Sequence, residues 1–357
     1  MKILNKIVAL IIVTLMTFIL TRNTQVNTFA SLNLDTSNRK VVNVAVLLKN
    51  FDDPFLLKLK QGLEDIEKEN TSKVKFTFYN GESNIAIQTE TLDSISQRNT
   101  DLIMAFLQDT REDTVKNVLS KSKEKKIPLI IMDVDPNVAL RVSNDYDKVA
   151  FILPISNQAG IIQGKILINL WNTNKNLIDK NSDNILQYVL LQGTVNTPIA
   201  TERTKYVIST LNSSGIKTEQ LALVNTIWDR NLAKVSIENL FLKYAGNIEA
   251  IIANNDAIAI GAIEALQKYG YNKGDNSKYI TVVGIDGIQE AKDLVDNGFM
   301  TGTVIEDNKV FAKDLYTIGL NLINNVSPIE NTNYKYSDAE IIIPFSYQEY
   351  TGKTNTP

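Results

Sequence analysis

Asp53, Asp133, Asn255 and Asp286 each stand just past a short apolar run, and Phe55 follows Asp53 by two positions. Arg203 and Trp228 fall near the starts of helical patterns in the second half, and Thr197 follows the run that ends in Leu191. Carboxylate, amide and guanidinium groups are planar and bond vicinal hydroxyls in pairs, while an aromatic face covers the C–H patch of a pyranose ring. Gathered together, these residues make a saccharide cleft. Singly, each has a plainer reading, because Asp and Asn after a strand usually cap the next helix and a lone Phe is usually core. The convergence of the whole set on one kind of position is what points to a ligand.

A second constellation lies at 179–187. Asp179, Asn181 and Asp183 supply side-chain oxygens at alternate positions, Ile185 a backbone carbonyl and Gln187 an amide. This is the spacing of positions 1, 3, 5, 7 and 9 in an EF-hand calcium loop. Position 6 carries Asn184 where Gly is usual, a tolerable exchange because Asn accepts left-handed backbone geometry. Position 12 is Leu190 instead of Glu, so the loop by itself lacks a carboxylate, and a plain polar turn has the same spacing.

The elements that must position these residues alternate from residue 42 onward. Nearly continuous apolar runs at 42–48, 101–107 and 127–132, and a strand at 73–79, are separated by helical spacing at 54–69, 85–98 and 111–125. The series restarts at 149–153 and continues with strands at 185–191, 220–223, 250–253 and 279–285, between helices at 157–171, 200–213, 231–244, 256–269 and 288–297. Apolar strands separated by amphipathic helices predict an α/β fold with parallel sheets covered on both faces. So many units exceed one sheet of ordinary size, which predicts two doubly wound lobes. The expected division is 41–133 plus 307–328 for the first lobe and 134–306 plus 338–350 for the second, with three crossovers acting as a hinge. Ligands of such sheets sit beyond the carboxyl ends of strands, where the candidate residues stand.

Ahead of this body, Lys2 and Lys6 precede an apolar run at 7–20, the order of an export signal. Thr28, Phe29 and Ala30 offer a small-residue cleavage site, set about ten residues past the run. Residues 1–30 therefore read as a signal peptide or an uncleaved membrane anchor, and the polar stretch 31–40 as a linker.

The 37 basic and 40 acidic residues are interspersed, for a net charge of -3, so the chain lacks the basic footprint of a nucleic-acid binder. It contains no His and no Cys, which excludes a thiol nucleophile, a Ser-His-Asp triad, an imidazole or thiolate metal site and a disulfide. Without Cys, the usual lipid attachment point of exported surface proteins is missing too. An enzyme is not expected, although Asp53 and Asp286 could mimic the paired carboxylates that a carbohydrate enzyme needs.

The segments YVLLQG at 188–193, TKYVI at 204–208, GIKTEQ at 215–220, IANNDA at 252–257 and VGID at 283–286 carry a family likeness. Through them the chain resembles the bacterial galactose/glucose-binding periplasmic proteins, of the type I binding-protein fold, over roughly residues 42–350. The resemblance implies that Asp53 accepts from a sugar hydroxyl and that Phe55 and Trp228 form an aromatic sandwich. It implies that Arg203, Asn255 and Asp286 bond ring hydroxyls from the second lobe. Where the family has His, Asp and a second Asn, this chain has Thr197, Ile199 and Glu306, and the family's Asn-Lys pair becomes Asp133 and Val134. These departures leave the sugar open between a hexose such as glucose or galactose and a pentose such as xylose. The resemblance also supplies the missing carboxylate of the second constellation at Glu249, which makes calcium the expected metal, on Asp179, Asn181, Asp183, Ile185, Gln187 and Glu249.

The expected function is an exported monosaccharide-binding protein, monomeric when free, that delivers sugar to the permease of an ABC importer. A membrane-anchored sensor that hands its sugar-closed shape to a histidine kinase or receptor is the other open reading. A repressor's sugar-sensing body shares the fold, but an apolar segment stands where its helix-turn-helix would be.

Overall fold

β1 (Val42–Leu48) shows why the strands form as they do. Val44, Val46 and Leu48 face one core, Ala45 and Leu47 face another, and all five are buried. A strand apolar on both faces needs helices on both sides, and helical crossovers bring strands back parallel. The structure, a computed structural model, describes residues 40–154, 156–244, 246–343 and 346–352. The export segment expected at 1–30 and the linker expected at 31–40, Lys40 aside, lie outside the described residues.

After β1 the first lobe contains α1 (Pro54–Glu69), β2 (Val74–Asn80), α2 (Ile85–Ser96), β3 (Leu102–Phe106), α3 (Glu112–Lys125), β4 (Leu129–Met132), α4 (Pro136–Val142) and β5 (Val149–Pro154). The second lobe follows with α5 (Asn157–Thr173), β6 (Ile185–Gln192), α6 (Pro198–Ser213), β7 (Lys217–Asn225), α7 (Arg230–Tyr244), β8 (Ala250–Ala253), α8 (Asp256–Lys268), β9 (Thr281–Asp286), α9 (Gln289–Asp296) and β10 (Gly302–Glu306). The chain returns to the first lobe for α10 (Asn308–Ile323), β11 (Lys335–Ser337) and β12 (Glu340–Ile343), and finishes in the second with β13 (Tyr347–Tyr350).

Among the described residues the strands form two sheets, ordered β2-β1-β3-β4-β5-β12-β11 and β7-β6-β8-β9-β10-β13. Only the pairs β11 with β12 and β10 with β13 are antiparallel among these described strands. Along their parallel strands both orders reverse direction once, at β1/β3 and at β6/β8, and ligands of doubly wound sheets bind beyond such switch points.

The lobe boundary differs from the expected one. β5 pairs with β4, Leu129 opposite Val149 and Met132 opposite Ile152, and β12 pairs with β5. The first lobe therefore runs on to residue 154 and holds 335–343, where the sequence reading ended it at 133 and put 338–350 in the second lobe. Past Asp133, the Asp135 side chain caps α4, which leads the chain back to the same sheet. A β-α-β unit within a lobe and one across a hinge have the same apolar periodicity, so periodicity is blind to the distinction. The chain changes lobe between β5 and α5, between β10 and α10, and between β12 and β13. α10 packs on α1 of the first lobe so closely that a Cβ at Gly62 would lie 2.9 Å from Ala312 Cβ.

Candidate functional site

Arg203 is the centre of the second lobe's contribution. It lies on α6, which approaches α5 so closely that a Cβ at Gly160 would be 2.8 Å from the Arg203 carbonyl oxygen. The buried guanidinium donates through Nη1 to the Asn254 carbonyl at 2.9 Å and to Asp286 Oδ1 at 3.2 Å, and through Nη2 to Glu306 Oε1 at 2.7 Å. Burial opposes its charge, but Glu306 and Asp286 outweigh burial and hold the guanidinium above its ordinary range. Burial raises the Asp286 carboxyl well above the usual range against the pull of Arg203, and Glu306, Asp256 and Asp53 raise it further. Arg203 Nε is buried with no partner, a donor that a ligand hydroxyl could satisfy.

Asn255 is the N-cap of α8, where its Oδ1 accepts from Ile258 N at 3.1 Å. This cap leaves Nδ2 as the group for a ligand. Asp53 does the equivalent in the first lobe, its Oδ1 accepting from Phe55 N at 2.8 Å and Leu56 N at 3.2 Å at the start of α1. Both bonds use one oxygen, so Oδ2 is left for a ligand. Desolvation raises the Asp53 carboxyl against these two N–H groups. The half-buried Phe55 ring is 6.4 Å from that of Phe311, on α10. At the end of β4, Asp133 accepts from Ile199 N at 3.3 Å across the cleft, and its Oδ2 is 3.9 Å from Lys49 Nζ.

Trp228 lies in the turn after β7, where Ile227 and Trp228 have φ of 47° and 68°. Asp133 and Asp286 are also left-handed, with φ of 58° and 115°. Such conformations cost non-Gly residues on the order of 1–3 kcal/mol each and collect where the surrounding structure fixes a side chain for a task.

Lys49, Asp53, Phe55, Leu56, Phe106 and Asp133 line one side of a cleft, and Ile199, Arg203, Trp228, Asn255 and Asp286 line the other, enclosing about 490 Å³ with the mouth included. Seven of the expected residues meet here: Asp53, Phe55, Asp133, Arg203, Trp228, Asn255 and Asp286. Thr197 and Glu306 are not on the wall. The Thr197 hydroxyl turns back to donate to the Thr194 carbonyl at 3.0 Å, and Glu306 stands behind Arg203 and holds it. Lys49, Leu56, Phe106 and Ile199 are lining residues outside the expected set. Phe106 ends β3 and Lys49 follows β1, so the strand-end rule that found Asp133 also points to them. Leu56 has no such signal.

The periplasmic binding protein domain matches residues 44–325 of this sequence. The chain belongs to the periplasmic binding protein family. Among curated relatives, the D-galactose/methyl-galactoside binding periplasmic protein of Haemophilus influenzae is 29% identical over 303 residues, covering 85% of this chain and 88% of that protein. The ribose import binding protein of Salmonella typhimurium is 24% identical over 302 residues, 84% of this chain and 90% of that protein. A solved ABC transporter periplasmic solute binding protein from Actinobacillus succinogenes, with bound D-allose, superimposes with a TM-score of 0.68 at 18% identity, covering 87% of this chain and 97% of that one. The two-lobed α/β architecture is thus the type I fold of periplasmic binding proteins. Membership places the binding body outside the cytoplasm. Among the described residues no helix is long and apolar enough to cross a membrane.

Away from the cleft, this periplasmic binding protein gathers the expected metal-loop residues in one corner. Asn184 has the left-handed geometry its position requires, at φ 64°. Glu249, remote in sequence and buried, accepts at Oε1 from Lys180 N at 2.6 Å and at Oε2 from Gln187 N at 3.1 Å. Burial raises its carboxyl above the ordinary range against these N–H groups. Asp183 Oδ2 accepts from Asn181 Nδ2 at 3.0 Å and Gln187 Nε2 at 2.8 Å. Asp179 Oδ2 accepts from Asn184 N at 3.3 Å and lies 3.4 Å from Lys175 Nζ, while its Oδ1 is buried with no partner. Among the described residues no three acidic side chains converge as they would around an ion. Apart from Asp179 Oδ1, amide nitrogens and backbone N–H groups occupy the oxygens of Asp179, Asp183 and Glu249 instead.

Proposed function

We propose that this protein is the extracytoplasmic binding subunit for an aldose monosaccharide, that its lobes close on the sugar and present it to the permease of an ABC importer, and that it does no chemistry on it. One observation carries this reading: Phe55 and Trp228 come from opposite lobes to one cavity that also holds the planar polar groups of Asp53, Arg203, Asn255 and Asp286. Arg203 Nε, Asn255 Nδ2 and Asp53 Oδ2 supply two donors and an acceptor beyond those used within the protein. The names of the galactoside and ribose relatives support a sugar. Ile199 adds an apolar patch to the wall, which suits a pentose as well as a hexose.

The reading extends to calcium at 179–187. Asp179 Oδ1 is an orphaned buried acceptor, and rotation of the Asn181 and Gln187 amides exchanges nitrogen for oxygen beside Asp183. Asp179, Asn181, Asp183, the Ile185 carbonyl, Gln187 and Glu249 would hold the ion, whose chemistry is structural cross-linking of the loop before β6. The acid-rich, all-oxygen donor set suits calcium over softer metals.

A thermal-shift panel of galactose, glucose, xylose, ribose and allose tests the sugar. A ligand at 100 times its Kd adds about 2.7 kcal/mol to stability, so one sugar should raise the melting temperature clearly. A flat response across aldoses overturns the reading. Membrane pull-down of the sugar-loaded protein should recover importer subunits; recovery of a histidine kinase in their place replaces the importer with the sensor.

A further inference from the structure

Among the described residues, two side-chain contacts join the lobes directly, protein to protein. At the first, Asp133 Oδ1 in the first lobe accepts from the backbone N–H of Ile199, in the first turn of α6 in the second. That helix has Thr197 at its N-cap, and Thr197 makes no capping bond. Asp133 therefore supplies from the other lobe the acceptor that an N-cap side chain supplies within a helix, and its charge faces the positive end of the helix dipole. Oδ1 of Asp133 is thus engaged by the protein, and Lys49 Nζ stands 3.9 Å from Oδ2, an ion-pair distance beyond hydrogen-bond range. At the second contact, Lys58 on α1 donates to the carbonyl oxygens of Asp286 at 3.1 Å and Gly287 at 3.0 Å. Those two residues are consecutively left-handed, with φ of 115° and 57°, in the turn where β9 ends. Both contacts grip backbone groups of the second lobe.

We propose that Asp133 and Lys58 are closure residues, which hold the second lobe by its backbone and shift the lobes toward the closed form before a sugar bond is made. Asp133 is then a positioning residue for binding and not the sugar ligand its place after β4 suggests. The contacts stand independently of the sugar, while their consequence for affinity rests on the closing-cleft reading. Losing a hydrogen bond to a charged group should change the closed-to-open ratio by about tenfold to a hundredfold. Apparent affinity then weakens in proportion to the closed fraction, although the contacts with sugar are unchanged.

The test is small-angle scattering and calorimetry on the full chain and three variants, Asp133→Ala, Asp133→Asn and Lys58→Met. Asn keeps an oxygen for the Ile199 N–H, Ala does not, and Met keeps the Lys stem without its donor. Without sugar, Asp133→Ala and Lys58→Met should have a larger radius of gyration than the parent, and Asp133→Asn should recover most of the difference. All should converge at saturating sugar, with Kd raised about tenfold in the two expanded variants. If Asp133→Ala weakens binding while its ligand-free scattering matches the parent, Asp133 contacts sugar and the latch is wrong. Unchanged ligand-free scattering in both Asp133→Ala and Lys58→Met also overturns it. Expansion of the variants when no aldose binds the parent supports the latch and removes the sugar reading. Lys58→Met gives the same readout from the opposite contact if Asp133→Ala fails to fold.

Discussion

Trp228 lies directly on Gly193: a Cβ at position 193 would come within 2.2 Å of Trp228 Cε2 and Cζ2. The glycine that ends the first strand-turn of the second lobe is thus part of how the ring is aimed, because any side chain there displaces it.

Gly193→Ala should therefore weaken sugar binding about tenfold or more while leaving the rest of the fold in place. Overpacking costs roughly 1–3 kcal/mol, and rotation of the Trp228 ring relieves it at the expense of the cleft. Calorimetry with the sugar found in the thermal-shift panel measures the loss, and tryptophan fluorescence reports the ring. Full affinity in this variant would show that the Trp228 ring is not a sugar platform.

The 179–187 loop gives a metal-removal prediction. If the six proposed groups share an ion, chelator should lower the melting temperature, and excess calcium should restore it where excess magnesium does not. Calcium tolerates six to eight oxygen ligands in a flexible shell, whereas magnesium demands a near-ideal octahedron and keeps its waters. Asp179→Asn should weaken the response by removing the negative charge of the carboxylate whose Oδ1 now has no partner. Melting that is indifferent to chelator leaves a polar turn pinned by Glu249.

Glu340 on β12 makes stability depend on pH. It is buried, its Oε1 has no partner, and burial together with the carboxylates of Asp133, Asp135, Asp338 and Glu202 raises its pKa to about 8 from an ordinary 4.5. Between these two values the folded chain keeps a proton that the unfolded chain releases, so this group's contribution falls as pH rises from 4.5 to about 8 and is flat above. Glu340→Gln cannot ionise and should be more stable than the parent at about pH 9, the advantage shrinking toward about pH 5. Urea unfolding at the two pH values measures it. An equal difference at both would assign the titration to another group.

Much of this molecule was legible before folding because the signals are local. Apolar runs on β1 and β6 fix strands that must be buried on both faces, and Asp53, Asn255 and their neighbours fall at strand ends because those residues also start helices. Asn184 likewise announces its own left-handed turn. A residue that acts through its own backbone neighbourhood can be read from the chain.

What the tertiary structure alone decided concerns partners distant in sequence. That β5 returns to the first sheet, that Glu306 backs Arg203 and that Asp133 caps a helix of the other lobe are all choices among positions the sequence treats as equivalent. The physical reason is that periodicity and capping preferences encode the torsions and exposure of a segment, whereas these three outcomes depend on which segments the two packed cores bring within hydrogen-bond range. The sequence by itself determined two α/β lobes with polar and aromatic groups at their strand ends; packing decided which of those groups face the cavity and which hold the lobes together.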